Sequence, residues 1–297
     1  MKPIDAMTSQ ESSAASEQKE TAMNEIALRS NDNTTQAHAE LHQPARINVL
    51  GVGVSAIDMQ AALKLSDALI QSGGRGYVCV TGVHGVMVAQ QDPGFREILN
   101  GSFLTTPDGM PLVWMGRVKG HAEMGRVFGP DYMMDLCHYG IERGYRHFLF
   151  GGNDGVAQQL AAELKSKVPG IQIVGTFTPP FRALNESEEM ELAAQVAASR
   201  ADVFWVGLST PKQERFMAAH LNKLNVKLMV GVGAAFDMHT GRIKDAPAWV
   251  KPLGLQWLHR LIQDPRRLAS RYGKIVPAFL FLAAAQLLGV RRYSLTR

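Results

Sequence analysis

The chain has 297 residues, 46% of them hydrophobic, enough apolar material for one large or two small buried cores, which excludes a wholly disordered protein. Its net charge of +4 is unevenly spread: from Lys251 onward nine Lys and Arg face Asp264 alone, so the first 250 residues are net acidic and no nucleic-acid partner is expected. Cys79 and Cys137 sit in apolar runs without metal-ligand spacing, which argues against a disulfide framework and for a reducing compartment, the cytoplasm by default.

Residues 1–46 contain no aromatic residue, are rich in Ser, Thr, Gln, Asn, Glu and Ala, and carry seven acids against four Lys and Arg. They read as a disordered arm and fit neither a secretory nor a mitochondrial address. From Ile47 apolar runs alternate with helix-length amphipathic segments. The run "INVLGVGV" predicts a first strand, followed by a helix over 57–72; "YVCVTG" predicts a second, followed by a helix over 83–100. Helices follow Asp108 through "MPLVWMG" and from Pro130 to Arg143, and "HFLFGG", "IQIVGTF", "VFWVGL" and "LMVGVGAAF" complete six strands. Strands alternating with helices predict an α/β fold: a Rossmann-like, mostly parallel sheet with helices on both faces over 47–246, and a helical basic C-terminal appendage over 247–297.

In such a sheet, ligands sit beyond the C-terminal ends of the strands. The segments there, among them "TGVHG", "TTPDG", "GGNDG", "GLSTPKQE" and "GAAFD", are rich in polar residues and glycine. One such loop is simply a turn, but seven on one edge favour a binding site. "GVGVSA" at 51–56 fits a dinucleotide fingerprint, yet the second strand ends at Thr81 and Gly82 without the acid that would hold a ribose, so a nucleotide-dependent oxidoreductase is the lesser alternative. "GGNDGVAQQL" is a glycine turn opening a helix, with Asn153 or Asp154 as its cap, and Gly151 and Gly152 are candidate ligand contacts. In "VGLSTPKQERFM", Thr210 caps a helix that starts at Pro211. Lys212 in its first turn opposes the helix dipole, a conflict that a phosphate-bearing ligand would remove.

His84, His121, His138, His147, His220, His239 and His259 show no metal-site spacing and no Asp-x-Asp triplet is present, so neither a metal nor another cofactor is expected. A diphosphate would be met by Arg, Lys and helix termini. The apolar run 276–290 is flanked by cations and is too short to span a bilayer, which takes about 20 residues. It fits either an anionic membrane surface or a helix docked on the core or on another subunit, and a homo-oligomer stays open.

Together and in this order, "TPDGMPLVW", "RVFGPDYM", "FLFGGNDGVA", "GTFTPPFR", "VGLSTPKQERFM", "GVGAAFDMHTGRIKDAPAWV" and "GLQWLHRLIQDPRRLASRY" are highly specific, and the chain from about 47 to 275 resembles the WecG/TagA/CpsF family of bacterial glycosyltransferases. The resemblance implies an inverting, metal-independent transfer of a sugar from a UDP-sugar to a polyprenyl-diphosphate-linked saccharide at the cytoplasmic face of the membrane. It implies Asp108 as catalytic base, Arg126 on the leaving diphosphate, Gln213 lining the site, and Arg260, Arg267 and Arg271 closing it from the appendage. Asp237 is placed to accept hydrogen bonds from a ribose or sugar hydroxyl. Two departures stand out: a T-x-N pattern of the family reads "VTGVHG" here, passing the Asn role to Thr81 or His84, and a family Glu before the tryptophan of "GLQW" is Gln256. A non-catalytic, membrane-peripheral UDP-sugar-binding subunit is the remaining alternative.

Overall fold

The computed structural model describes residues 43–295 apart from 248 and 252, and leaves the side chain of Arg267 undescribed. The arm expected over 1–46 thus lies almost wholly outside the described residues, and Arg46 already belongs to the first strand.

"INVLGVGV" does not join the main sheet. It forms an antiparallel hairpin of β1 (Arg46–Val49) and β2 (Val52–Ser55), with Val49 opposite Val52. Leu50 and Gly51 between them have φ of 52° and 85°, the paired positive angles that a tight two-residue hairpin turn requires. Leucine rarely adopts this conformation. Here both its backbone groups are held from outside: Leu50 N donates to Gln286 Oε1 at 3.0 Å, and Gln90 Nε2 donates to Leu50 O at 2.7 Å. The dinucleotide fingerprint is overturned with the strand, because Gly51 builds a hairpin turn and Gly53 lies within β2, so neither glycine forms the strand-to-helix turn that would cradle a pyrophosphate.

The sheet has six parallel strands: β3 (Gly76–Thr81), β4 (Leu104–Pro107), β5 (Arg146–Gly151), β6 (Gln172–Phe177), β7 (Val203–Gly207) and β8 (Leu228–Gly231), in the order β4-β3-β8-β7-β5-β6. The expected number is met with a different membership, since "LTTP" replaces the hairpin. That strand is four residues long and threonine-rich, a weak periodic signal.

After the hairpin come α1 (Met59–Gln71), α2 (Val83–Gln91), α3 (Pro93–Asn100), α4 (Met110–Val118) and α5 (Gly129–Tyr139). The helix expected over 83–100 is two helices: Pro93 starts the second, and Asp92 caps it by accepting from Phe95 N at 2.9 Å. There follow α6 (Val156–Lys167), α7 (Glu186–Ser199), α8 (Lys212–His220), the short α9 (Ala235–His239), α10 (Gln256–Gln263) and α11 (Pro265–Leu287).

Both faces of the sheet are covered, as the alternation along β7 shows. Phe204 stacks on Phe148 of β5 at 5.3 Å and on Phe216 of α8 at 6.3 Å. Trp205 points the other way, edge-on to Tyr132 of α5 at 6.4 Å, and its Nε1 donates to His147 Nδ1 at 3.1 Å. The hairpin lies beside β4, where Ser55 Oγ accepts from Thr105 N at 3.2 Å.

The apolar run at 276–290 belongs to a longer helix than the run itself suggested. Among the described residues α11 is the one helix long and apolar enough to cross a membrane, over Leu268–Leu287. One of its faces is docked: Phe279 and Ala283 are buried in the core, and Gln286 Nε2 donates to Asn48 O at 3.1 Å. The opposite face leaves Leu280, Phe281, Leu287 and Leu288 exposed. Gln286→Leu strips Leu50 of its partner and is expected to lower stability by about 1–3 kcal/mol, measured as a lower urea midpoint with an unchanged slope.

Candidate active site

A cavity of about 570 Å³ opens at the C-terminal ends of β3, β4, β7 and β8. The sheet explains its place: β4, β3, β8 and β7 are consecutive parallel neighbours, so their C-terminal ends and the loops that follow lie together on the edge where open α/β sheets bind ligands. α4, the segment 253–257 and α11 wall the other side, so residues far apart in sequence face one another across it.

Asp108 directly follows β4, and its N–H donates to Thr81 O at 3.0 Å, carrying the strand register into the loop. Of its carboxyl oxygens, Oδ1 is buried without a hydrogen-bond partner. Burial raises the pKa of this acid, against the opposing effects of the Arg126 charge, the Gly129 N–H at the start of α5, and Arg260; Asp131 adds to the rise. The net result is a carboxylate that accepts a proton more readily than an ordinary aspartate, as a general base should.

Arg126 is clamped. Its Nε donates to Asp108 O at 2.7 Å, Nη2 bonds to Gln256 Oε1, and the guanidinium lies 4.2 Å from the centre of the Phe128 ring. Gln256 Nε2 in turn donates to Asp245 Oδ1 at 3.0 Å, and Lys251 pairs with Asp245 Oδ2 at 2.6 Å. The appendage therefore reaches the site through Gln256, the position where a carboxylate was the family expectation.

Of the residues singled out in the sequence, Thr81, His84, Asp108, Arg126, Gln213, Asp237, Arg260 and Arg271 all line this cavity. Thr81 Oγ1 donates to Cys79 O at 3.2 Å, which commits its hydroxyl proton to the strand and leaves His84 the better placed of the two to replace the missing Asn. Burial, with Arg271 second, lowers the His84 pKa to about 4, so the ring is neutral near pH 7. Asp237 sits in α9 and not at the end of a strand.

Three expected contacts are not brought there. Lys212 is exposed and outside the cavity wall, so the supposed conflict with the helix dipole is relieved by solvent. Pro211 is the residue before α8 and no side chain caps that helix; the Thr210 hydroxyl goes to Glu214 instead. Gly151 and Gly152 also lie outside the wall. They serve the backbone: a Cβ on Gly151 would meet Gly207 O at 2.6 Å, and Gly152 N donates to Gly207 O at 3.0 Å. Neither Asn153 nor Asp154 caps α6, whose preceding residue is Gly155. Arg267 falls on α11, with its side chain outside the described residues.

Sequence reading gave no role to Trp114, Tyr272, Asp245 or Lys251. Trp114 and Tyr272 are wall residues, and they look like ordinary helix positions until α4 and α11 are placed across the cavity. Among the described residues no three His, Cys, Asp or Glu side chains gather in a way that could hold a metal ion.

The ionised form of a base is the active one, so activity should be full above the Asp108 pKa and fall as pH drops through it. Burial places that limb above the ordinary carboxylate value of about 4. Arg126→Ala removes the largest opposing effect, and the acid limb of the kcat/KM profile should move to higher pH; a limb that stays in place would separate Arg126 from the ionisation of Asp108.

Comparison with known proteins agrees with this geometry. The sequence matches the glycosyl transferase WecG/TagA/CpsF family over residues 47–293. It is similar to an N-acetylglucosaminyldiphosphoundecaprenol N-acetyl-beta-D-mannosaminyltransferase of Bacillus subtilis (strain 168), with 28% identity over 179 residues, 60% of this chain and 68% of that protein. The protein of the same description from Bacillus spizizenii (strain W23) is similar to the same extent. With the match spanning the hairpin, the sheet and both C-terminal helices, the chain belongs to the WecG/TagA/CpsF family and is a glycosyltransferase.

Proposed function

We propose that the protein transfers a hexose-type sugar from a UDP-sugar to a polyprenyl-diphosphate-linked saccharide, with inversion and without a metal, in the assembly of a cell-surface polysaccharide. The observation that carries this reading is one cavity holding a buried acid with an unpartnered oxygen, Asp108, and three arginines, Arg126, Arg260 and Arg271. The two Bacillus relatives, by their descriptions, transfer N-acetylmannosamine to N-acetylglucosaminyldiphosphoundecaprenol. An acceptor of that kind fits the apolar rim and the exposed face of α11.

In the proposed reaction Asp108 takes the proton of the acceptor hydroxyl as its oxygen attacks the anomeric carbon from the face opposite the diphosphate. The bond to the departing phosphate oxygen breaks and its electron pair goes to UDP. The developing charge is met by Arg126, held in place by Phe128 and Gln256, and by Arg260 and Arg271. His84 and Asp237 are proposed sugar or ribose contacts. The arginines supply the positive charge that a divalent ion would otherwise bring to the diphosphate.

We place the enzyme at the inner face of the cytoplasmic membrane. Phe281 on α11 and Leu288 just beyond it are exposed, with Arg266 and Lys274 exposed on the same helix, a combination suited to an anionic lipid surface. The oxidoreductase alternative loses its fingerprint to the hairpin turn.

Asp108→Asn should lower turnover on a lipid-diphosphate acceptor at least about 100-fold while UDP binding persists, followed as UDP release; unchanged turnover would remove Asp108 as base. Activity should survive EDTA, and a strict need for Mg²⁺ or Mn²⁺ would overturn the metal-free mechanism. The doubly substituted Phe281→Asp, Leu288→Asp protein should co-sediment poorly with anionic liposomes while keeping the native melting temperature, because both side chains lie outside the core; undiminished binding would locate the membrane contact elsewhere.

A further inference from the structure

Two side chains at the start of α8 are buried and only half satisfied. Thr210 Oγ1 donates to Glu214 Oε1 at 2.8 Å, and Gln213 Nε2 donates to the same oxygen at 3.1 Å. The other oxygen of each residue, Gln213 Oε1 and Glu214 Oε2, has no hydrogen-bond partner, although Gln213 is 3% exposed and Glu214 1%. Both residues line the cavity. A buried polar atom without a partner is destabilising, so two adjacent ones in a cavity wall mark where a ligand completes them.

The chemistry of the two atoms is defined by the bonds already made. One N–H of the Gln213 amide is committed to Glu214, and the unpartnered atom left facing the cavity is its carbonyl oxygen, which can only accept. Glu214 has no ion-pair partner among the described residues. Burial raises its pKa, with hydrogen bonds from Thr210, its own backbone N–H and Gln213 acting the other way, so its remaining oxygen takes up a proton more readily than that of an ordinary glutamate and, protonated, donates. The space is kept open by glycine: a Cβ on Gly231 would meet Gln213 Nε2 at 3.1 Å, and one on Gly233 would meet Gln213 Oε1 at 3.4 Å.

An acceptor beside a donor is the wrong partner for a diphosphate, whose oxygens only accept. It suits a neutral group that carries an N–H or O–H next to a carbonyl or ether oxygen. We propose that Gln213 and Glu214 form a paired acceptor and donor that reads such a neutral part of the nucleotide sugar, its base or its sugar, while the arginines across the cavity take the diphosphate. This rests on the nucleotide-sugar reading above. It gives Glu214 a recognition role and makes the first turn of α8 a specificity element.

Calorimetric titration of the full chain with UDP, CDP and UDP-N-acetylmannosamine tests the pair, using Glu214→Leu, Glu214→Gln and Gln213→Met, each with its melting temperature. If the pair reads the base, Glu214→Leu and Gln213→Met weaken UDP at least about 10-fold and CDP much less, erasing the preference. If it reads the sugar, UDP and CDP are unaffected and only UDP-N-acetylmannosamine weakens. In both cases Glu214→Gln, which keeps a donor and an acceptor, stays within a few-fold of the parent. Folded variants that lose all three ligands equally, or none, overturn the proposal, and Gln213→Met decides it if Glu214→Leu does not fold. If the parent protein binds none of the three, the nucleotide-sugar reading fails first and this inference falls with it.

Discussion

Three stretches of chain meet at Arg126. Its guanidinium reaches the backbone of the Asp108 loop, lies on the ring of Phe128 before α5, and bonds to Gln256 at the start of α10. A flexible cation would spread its charge over many positions. Flattened on a ring and bonded at two nitrogens, this one is fixed before any ligand arrives, and a fixed charge loses little to reorganisation when a leaving group develops its own. The same clamp explains why the cavity has a second wall at all. Gln256 and the Asp245–Lys251 pair draw the chain after β8 back over the strand ends, and α11 follows it.

Around that point the site divides its labour by polarity. The strand ends supply buried oxygen atoms at Asp108, Gln213 and Glu214, and the later helices supply Arg260 and Arg271 together with apolar and aromatic side chains. Arg126 stands beside the acid, and two further cations come from the opposite wall. Asp108 stays basic, since burial outweighs the nearby arginine in setting its pKa. Its carboxylate would be a poorer base if Arg126 faced it directly; instead the Nε of Arg126 goes to the backbone oxygen.

The fold class and much of the site were legible because they rest on local patterns. Short apolar runs in β3, β5, β7 and β8 are buried strands, and the acid of "PDG" falls at a strand end whichever strands flank it. What was not legible depended on partners distant in sequence. "INVLGVGV" has the composition of a buried strand, and only Gln286 and Gln90, holding both backbone groups of Leu50, reveal a turn in its middle. "GGNDG" has glycines because Gly207 passes close by, a reason invisible in the segment itself. Lys212 and Glu214 stand two residues apart in one helical turn, yet one is in solvent and the other buried; the motif names both without saying which faces inward. Gln256 shows the same limit, since its bond to Arg126 spans 130 positions.

The grip of Gln286 on the hairpin turn also orders events during synthesis. The bond from Leu50 N to Gln286 joins residues 236 positions apart, so the strained turn has Gln90 alone of its two glutamine partners until nearly all of the described chain has been made. Contacts of such sequence separation form late, because the loop entropy must be overcome first. On the ribosome, β1 and β2 would emerge first and settle among the last, with β4 lacking its neighbour meanwhile. The helix that steadies the first hairpin is also the one that carries Arg271 into the cavity, so the hairpin and the cavity wall are completed by the same late event.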